Sequence, residues 1–300
     1  MPEIGPLAGL KVIDLAIARA GPTCVRALSD MGADVIQLWH PHHGDLRSSD
    51  SHNLHRGKRS ILVDLKRDAG REVLLRLVRG ADVLVENFRA GVKRRLRIDW
   101  ETLRELNPRL VYASISGFGQ DGPYADRPGV DQIAQGLGGL MSVTGPPGSG
   151  PWRAGIAISD TAAGTLLAQG VLAALWARER SGRGQWVHTS LLEAMIAFMD
   201  FQATRWLIDG EVPGQAGNDH PTVFPMGTYR TADGWINLAP ALAWERFAAA
   251  LDAQELAGDP RFATGEARMK HREALRERVE ARLAEQPSAS WIERMNAAGI

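Results

Sequence analysis

Five short apolar runs between residues 11 and 116 constrain this chain more than any other feature. They are 11–15 (KVIDL), 33–39 (ADVIQLW), 60–65 (SILVDL), 81–86 (ADVLVE) and 110–116 (LVYASIS), with helical spacing over 21–31 and 69–78. A strand without polar alternation needs cover on both faces, and strands separated by helices join through crossovers. The pattern predicts an α/β domain built on an open, Rossmann-like parallel sheet.

Beyond Gly117 the texture changes. A turn-rich stretch over 117–129 leads to a helix starting at Asp131 and a Pro/Gly loop at 145–151 (GPPGSGP), read as a hinge. A long apolar helix follows over 159–177, then the turn SGRG at 181–184, a strand over 185–189 and a helix from Ser190 to about Ile208. Two short strands, 227–230 and 235–239, flank Asp233-Gly234, a strong hairpin signal. Charged helices are predicted over 266–285 and 288–298. The expected division is a large domain over 1–210 and a smaller α+β domain over 211–300.

Charge and cysteine content narrow the partners. Lysine plus arginine equals aspartate plus glutamate at 35 each, so no overall field draws in nucleic acid or an anionic membrane. Cys24 is the one cysteine, which excludes an intrachain disulfide. The first ten residues hold Glu3 and two prolines without the basic and apolar segments of a signal peptide, so the expected location is the cytoplasm. The apolar stretch 161–177 falls short of the ~20 residues of a membrane span, which favours a buried helix.

Candidate chemistry gathers at strand ends. The turn at 18–22 (ARAGP) precedes a helix whose amides could hold a pyrophosphate. It lacks the G-x-G-x-x-G of a nicotinamide site, and the second strand ends in Trp39-His40 rather than an acid, which disfavours an oxidoreductase. Lys58, Arg59, Lys66, Arg89, Lys93, Arg94 and Arg95 recur beside strand ends. They suit a ligand with several phosphates, such as coenzyme A, and equally a solvated helix face. Five of the eight histidines lie between His40 and His55, with Asp45 and Asp50 among them, but without the spacing that aims imidazoles at a metal. This segment is predicted as a loop near the ligand.

Asp160 stands at the start of the long helix, in GIAISDTAAG at 155–164. Ser-Asp is a capping pattern, and Ser159 can cap alone. That leaves Asp160 in the first turn, where the helix dipole is expected to favour the ionised, nucleophilic form. A carboxylate nucleophile suits acyl-coenzyme A chemistry, because a mixed anhydride conserves the activation of a thioester.

Taken in order, these segments resemble the class III coenzyme A-transferase family, which includes formyl-CoA transferase, carnitine CoA-transferase and the α-methylacyl-CoA racemases. The resemblance rests on 9–14 with Ala20-Gly21-Pro22, and on GADVI at 32–36, GKRSILVDLK at 57–66 and ADVLVENF at 81–88. GFGQDGP at 117–123, the Asp160 segment and SGRGQWV at 181–187 complete it. It implies an interlocked homodimer and transfer of coenzyme A from an acyl donor, possibly succinyl-CoA, to a small carboxylic acid. Acyl-CoA would be a substrate, with no permanently bound cofactor. Asp160 aligns with the nucleophilic aspartate. The matching coenzyme A contacts are Arg19, Ala20, His40, Val63, Asp64, Leu65, Lys66, Asn87, Phe88, Arg89 and Arg95.

Some departures matter. His40 stands where the family often has arginine, and Val130 where racemases carry a catalytic histidine. A racemase and a non-catalytic coenzyme A-binding module are the competing readings. Gly299 is predicted as the residue after the last helix, and family members continue beyond this point. The chain therefore reads as a shortened member, with apolar surface expected to be exposed.

Overall fold

The computed structural model describes residues 5–41, 48–240 and 243–300. The chain divides into two compact units, one of residues 1–141 with 153–213 and one of 142–152 with 214–300.

The first unit is built on a six-stranded parallel sheet. Its strands are β1 (Lys11–Asp14), β2 (Asp34–Trp39), β3 (Arg59–Leu62), β4 (Val83–Glu86), β5 (Val111–Ser116) and β6 (Trp186–Ser190). The spatial order is β3-β2-β1-β4-β5-β6, with every neighbouring pair parallel. The order reverses between β1 and β4, and ligands of open α/β sheets bind beyond the strand carboxyl ends at such a point. The helices are α1 (Ala20–Asp30), α2 (Ser49–His55), α3 (Asp68–Val78), α4 (Ala90–Leu96) and α5 (Trp100–Leu106). They continue with α6 (Asp131–Leu137), α7 (Leu140–Val143), α8 (Ile158–Ser181), α9 (Leu191–Phe198) and α10 (Asp200–Thr204).

Residues of the central strands supply two separate cores by alternation. Val12, Val83, Val85, Val111 and Ala113 pack on one face with Val25, Leu28, Leu167 and Val171 from α1 and α8. Ile13, Leu84 and Tyr112 pack on the other with Leu74, Val78, Ile98 and Leu103. The apolar runs are continuous because both faces are covered. α8 is long and apolar enough to cross a membrane, yet half of that window is buried within the protein. Its tight approach to α1 requires Gly164, where a Cβ would lie 2.5 Å from the Ala20 carbonyl oxygen and 2.8 Å from Thr23 Cβ.

Local structure departs from the sequence reading in three places. Ser49–His55 is a helix rather than a loop, capped by the Ser48 hydroxyl, which accepts from the Ser51 amide at 3.1 Å. The histidine-rich stretch otherwise includes His42, His43 and Asp45, which lie outside the described residues. The helix predicted over 190–208 is interrupted after Phe198, where Asp200 is left-handed at φ 45°, and resumes as α10 and a π-helical turn over Arg205–Asp209. The helix predicted over 266–285 breaks at His271 into α13 and α14.

The second unit pairs β7 (Gly227–Arg230) with β8 (Trp235–Leu238), antiparallel across the Asp233-Gly234 turn. Around it lie α11 (Trp244–Ala250), α12 (Glu255–Gly258), α13 (Gly265–Lys270), α14 (Arg272–Leu283) and α15 (Ser288–Ala297). Tyr229, Phe247, Phe262, Val279 and Trp291 form its core. Gly299 follows α15 with φ 70°, as the residue after a helix end.

Two buried ion pairs fix the turns that leave β1 and β4. Asp14 ends β1; its Oδ2 accepts from Lys58 Nζ at 2.8 Å and its Oδ1 from the Ala16 amide at 2.9 Å. Glu86 ends β4; its Oε1 accepts from Lys93 Nζ at 2.9 Å and its Oε2 from the Phe88 amide at 2.7 Å. Each acid thus holds the backbone two residues onward while a lysine offsets its charge. Burial still raises the Asp14 carboxyl above the usual range, against the opposing pull of Lys58. Lys58→Met would leave that carboxylate buried and alone, at a cost of about 3–5 kcal/mol. Adding Asp14→Asn should recover most of the loss, and chemical denaturation of both variants measures it.

Candidate active site

The two turns open onto neighbouring clefts. In the first, the chain leaves β1 through Ala18, left-handed at φ 59°, which swings Arg19 and Ala20 into the start of α1. In the second, Asn87 crosses to the first turn: its Oδ1 accepts from the Ile17 amide at 2.9 Å and its Nδ2 donates to the Ile17 carbonyl at 2.7 Å. Ile17 and Phe88 line one cleft, and Ala18 and Asn87 line the other. The bridged turns are therefore the divide between them.

The larger cleft, about 470 Å³, has an apolar floor that includes Leu38 and Val63. His40, Leu65, Lys66, Phe88 and Arg95 also line it. Lys66 and Arg95 are exposed, and among the described residues no carboxylate pairs with either. An apolar slot edged by unpaired cations suits a flat base with phosphates attached.

Two of the residues matched to coenzyme A contacts line neither cleft. Asp64 shapes the turn after β3, where its Oδ1 accepts from the Lys66 amide at 3.0 Å. It also lies 3.8 Å from His40 Nε2. Arg89 is exposed at the start of α4.

The smaller cleft, about 140 Å³, holds Asp160 together with Arg19, Ala20, Asn87, Val130 and Asp131. One wall is the contact of Gly117 with Gly129, where a Cβ on Gly117 would lie 2.5 Å from Gly129 Cα. Arg19 is tied to Asp50 of α2, Nη2 to Oδ2 at 2.6 Å.

The start of α8 is not capped as the sequence suggests. Ala157 occupies the cap position, and no side chain there accepts a bond. Asp131 caps from α6 instead: its Oδ1 accepts from the Ser159 amide at 3.0 Å and from the Ser159 hydroxyl at 2.9 Å. Its Oδ2 accepts from Gln135 Nε2 at 2.7 Å, and Gln135 Oε1 accepts from the Ala154 amide at 2.9 Å. Asp131 and Gln135 so anchor the strap that leads into Asp160.

This arrangement reverses the expected direction of the shift at Asp160. Its carboxyl is pushed up to about 6, first by burial and then by the charge of Asp131, with Arg19 pulling the other way. Desolvation outweighs the helix dipole, because the carboxylate lies on a partly enclosed wall beside a second acid. A group poised there is ionised near neutrality yet weakly solvated, as a carboxylate nucleophile requires.

Several residues of the site carried no sequence signal that was read as functional. Asp14 and Glu86 lie at strand ends, and Asp131 with Gln135 has the i, i+4 spacing of one helix face, whereas Lys58 and Lys93, expected at a phosphate, are the buried partners of those two strand-end acids. Only the strand-end position of the buried acids could have flagged them.

Comparison with known proteins places the chain in a family and matches its fold. A family model described as CoA-transferase family III matches residues 7–300. A succinate–glutarate CoA-transferase of Agrobacterium fabrum is 41% identical over 91% of this chain and 73% of its own length. An acetyl-CoA:oxalate CoA-transferase of Acetobacter aceti is 38% identical over 99% of the chain and 79% of its own length. The crystal structure of a CAIB/BAIF family protein from Brucella suis superposes with a TM-score of 0.87 at 36% identity, covering 99% of this chain and 83% of that one. With the match extending over nearly its whole length, the chain is an enzyme of CoA-transferase family III.

Proposed function

We propose that the protein moves coenzyme A from an acyl-CoA donor to a small carboxylic acid through covalent intermediates on Asp160. The observation that carries this reading is the placement of a desolvated carboxylate in a small cleft adjoining a larger one edged by free cations. Coenzyme A lies with its adenine and phosphates along His40, Lys66 and Arg95, and its thioester reaches past Asn87 to Asp160.

Asp160 attacks the thioester carbonyl and expels the coenzyme A thiolate, leaving a mixed anhydride. The thiolate then attacks the aspartyl carbonyl, which releases the donor acid and forms an aspartyl thioester. An acceptor carboxylate displaces the thiolate to give a second anhydride. Thiolate attack on the acceptor's carbonyl then yields the new acyl-CoA and frees Asp160. The apolar and backbone walls of the cleft limit hydrolysis of each intermediate.

Val130 favours transfer over racemisation, because its exposed aliphatic side chain faces the cleft where a racemase needs a proton-transfer group. The acids named for the two relatives, glutarate and oxalate, make a dicarboxylic acceptor the preferred assignment. Ile196, Phe198, Trp206, Leu207 and Ile208 form an exposed apolar run that supports a homodimer as the working form.

Asp160→Asn should abolish transfer, because an amide forms no anhydride. Incubation of the parent with acyl-CoA and hydroxylamine should modify Asp160, and near-normal turnover by the variant would overturn the mechanism. Turnover per KM should rise with pH around about 6, as the Asp160 carboxyl ionises.

The same raised value costs stability. The folded state binds the proton more tightly than the unfolded chain, so stability is lost as pH rises from about 4 through 6. Asp160→Asn should therefore stabilise the fold at pH 8, by about 1 kcal/mol after solvent screening, and by nothing below about pH 4. Melting curves across pH measure both limits. Lys66→Ala and Arg95→Ala should each weaken coenzyme A binding by about 1–3 kcal/mol, read by calorimetry.

A further inference from the structure

We infer that Arg19 is the anchor for the second carboxylate of a dicarboxylic acceptor acid, and so sets acceptor specificity rather than holding a phosphate of coenzyme A. The inference rests on the transferase reading and goes beyond it by assigning a residue to the acceptor.

The cations divide between the two clefts. Lys66 and Arg95 line the larger one, where they suffice for phosphate groups. Arg19 is the one cation lining the smaller cleft among the described residues, and it shares that wall with Asp160 and Asp131. A dicarboxylate entering there brings two negative charges towards Asp131, with Asp160 held as its uncharged thioester when the acceptor attacks. Coulomb repulsion at short range would exclude it unless a fixed cation offset one charge.

Arg19 is built to do so. Its backbone follows the left-handed Ala18, and two restraints hold the turn just before it: the Asp14 carboxylate on the Ala16 amide and the Asn87 amide on both polar backbone atoms of Ile17. Its guanidinium spends one nitrogen, Nη2, on Asp50. Among the described residues the other nitrogens have no partner, so N–H donors remain for a second carboxylate. The Asp50 contact shows that this guanidinium already donates to a carboxylate at 2.6 Å without leaving the cleft wall. The reacting carboxylate would then lie at Asp160 with the distal one at Arg19, an arrangement that fixes the acceptor end for end.

The test compares glutarate with its monoamide, probes of equal size that differ by one charge, in calorimetric titrations of the parent protein, Arg19→Gln and Arg19→Lys. The parent should prefer glutarate by about tenfold or more, the worth of one charge-assisted contact. Arg19→Gln should bring the ratio to about one, and Arg19→Lys should retain part of it. An unchanged ratio in Arg19→Gln, or no preference in the parent, overturns the assignment. So does a loss confined to coenzyme A affinity. Melting curves confirm that both variants fold. Because binding is read without turnover, failure here is separate from failure of the transferase reading, which the Asp160 adduct decides.

Discussion

The approach of α8 to α1 is the contact on which the site depends. With no side chain at position 164, the helices close until the backbone of one meets the carbonyl of Ala20 in the other. Asp160 lies one turn before Gly164, so the same contact that seals the core sets the carboxylate beside the turn leaving β1. That turn carries Arg19 and Ala20. The site is therefore a consequence of helix packing on a parallel sheet, and its precision is that of the core rather than of a surface loop.

Charge is arranged in two tiers around this contact. Below the clefts, Asp14 with Lys58 and Glu86 with Lys93 are buried pairs whose carboxylates also hold the turns at the ends of β1 and β4. Such pairs add little net stability over apolar packing, but breaking either leaves an uncompensated charge, so they hold one geometry firmly. Above them, Asp160, Asp131 and Arg19 share a small cleft, and Asp131 serves both as cap for α8 and as the charge that opposes ionisation of Asp160. One residue thus couples the position of Asp160 to its basicity.

Part of this was legible in the residues. Continuous apolar runs at 11–15, 33–39, 81–86 and 110–116 demanded a sheet covered on both faces, and the strands lie within two residues of those bounds. The motifs around Asp160, Asn87 and Lys66 gave the family. Other features were misjudged for identifiable reasons. Ser159 looked like a cap because local spacing allows it, whereas the bond to its amide comes from Asp131, 28 residues away. Helix α2 was missed because histidine and serine content resembles a loop, and its position depends on pairing with α1 through Arg26 and Asp30.

The sequence by itself determined the sheet, the long apolar helix and the family to which the chain belongs, because periodicity and short motifs are local properties of the chain. Tertiary structure alone decided the strand order that creates a crevice between β1 and β4, and the division of the cations between two clefts. It also decided the protonation of Asp160. A pKa answers to every charge and every ångström of solvent around a group, and here burial decides first, while Asp131 and Arg19, drawn in from two other segments by the packing of α6 and α1 on α8, add their opposing pulls.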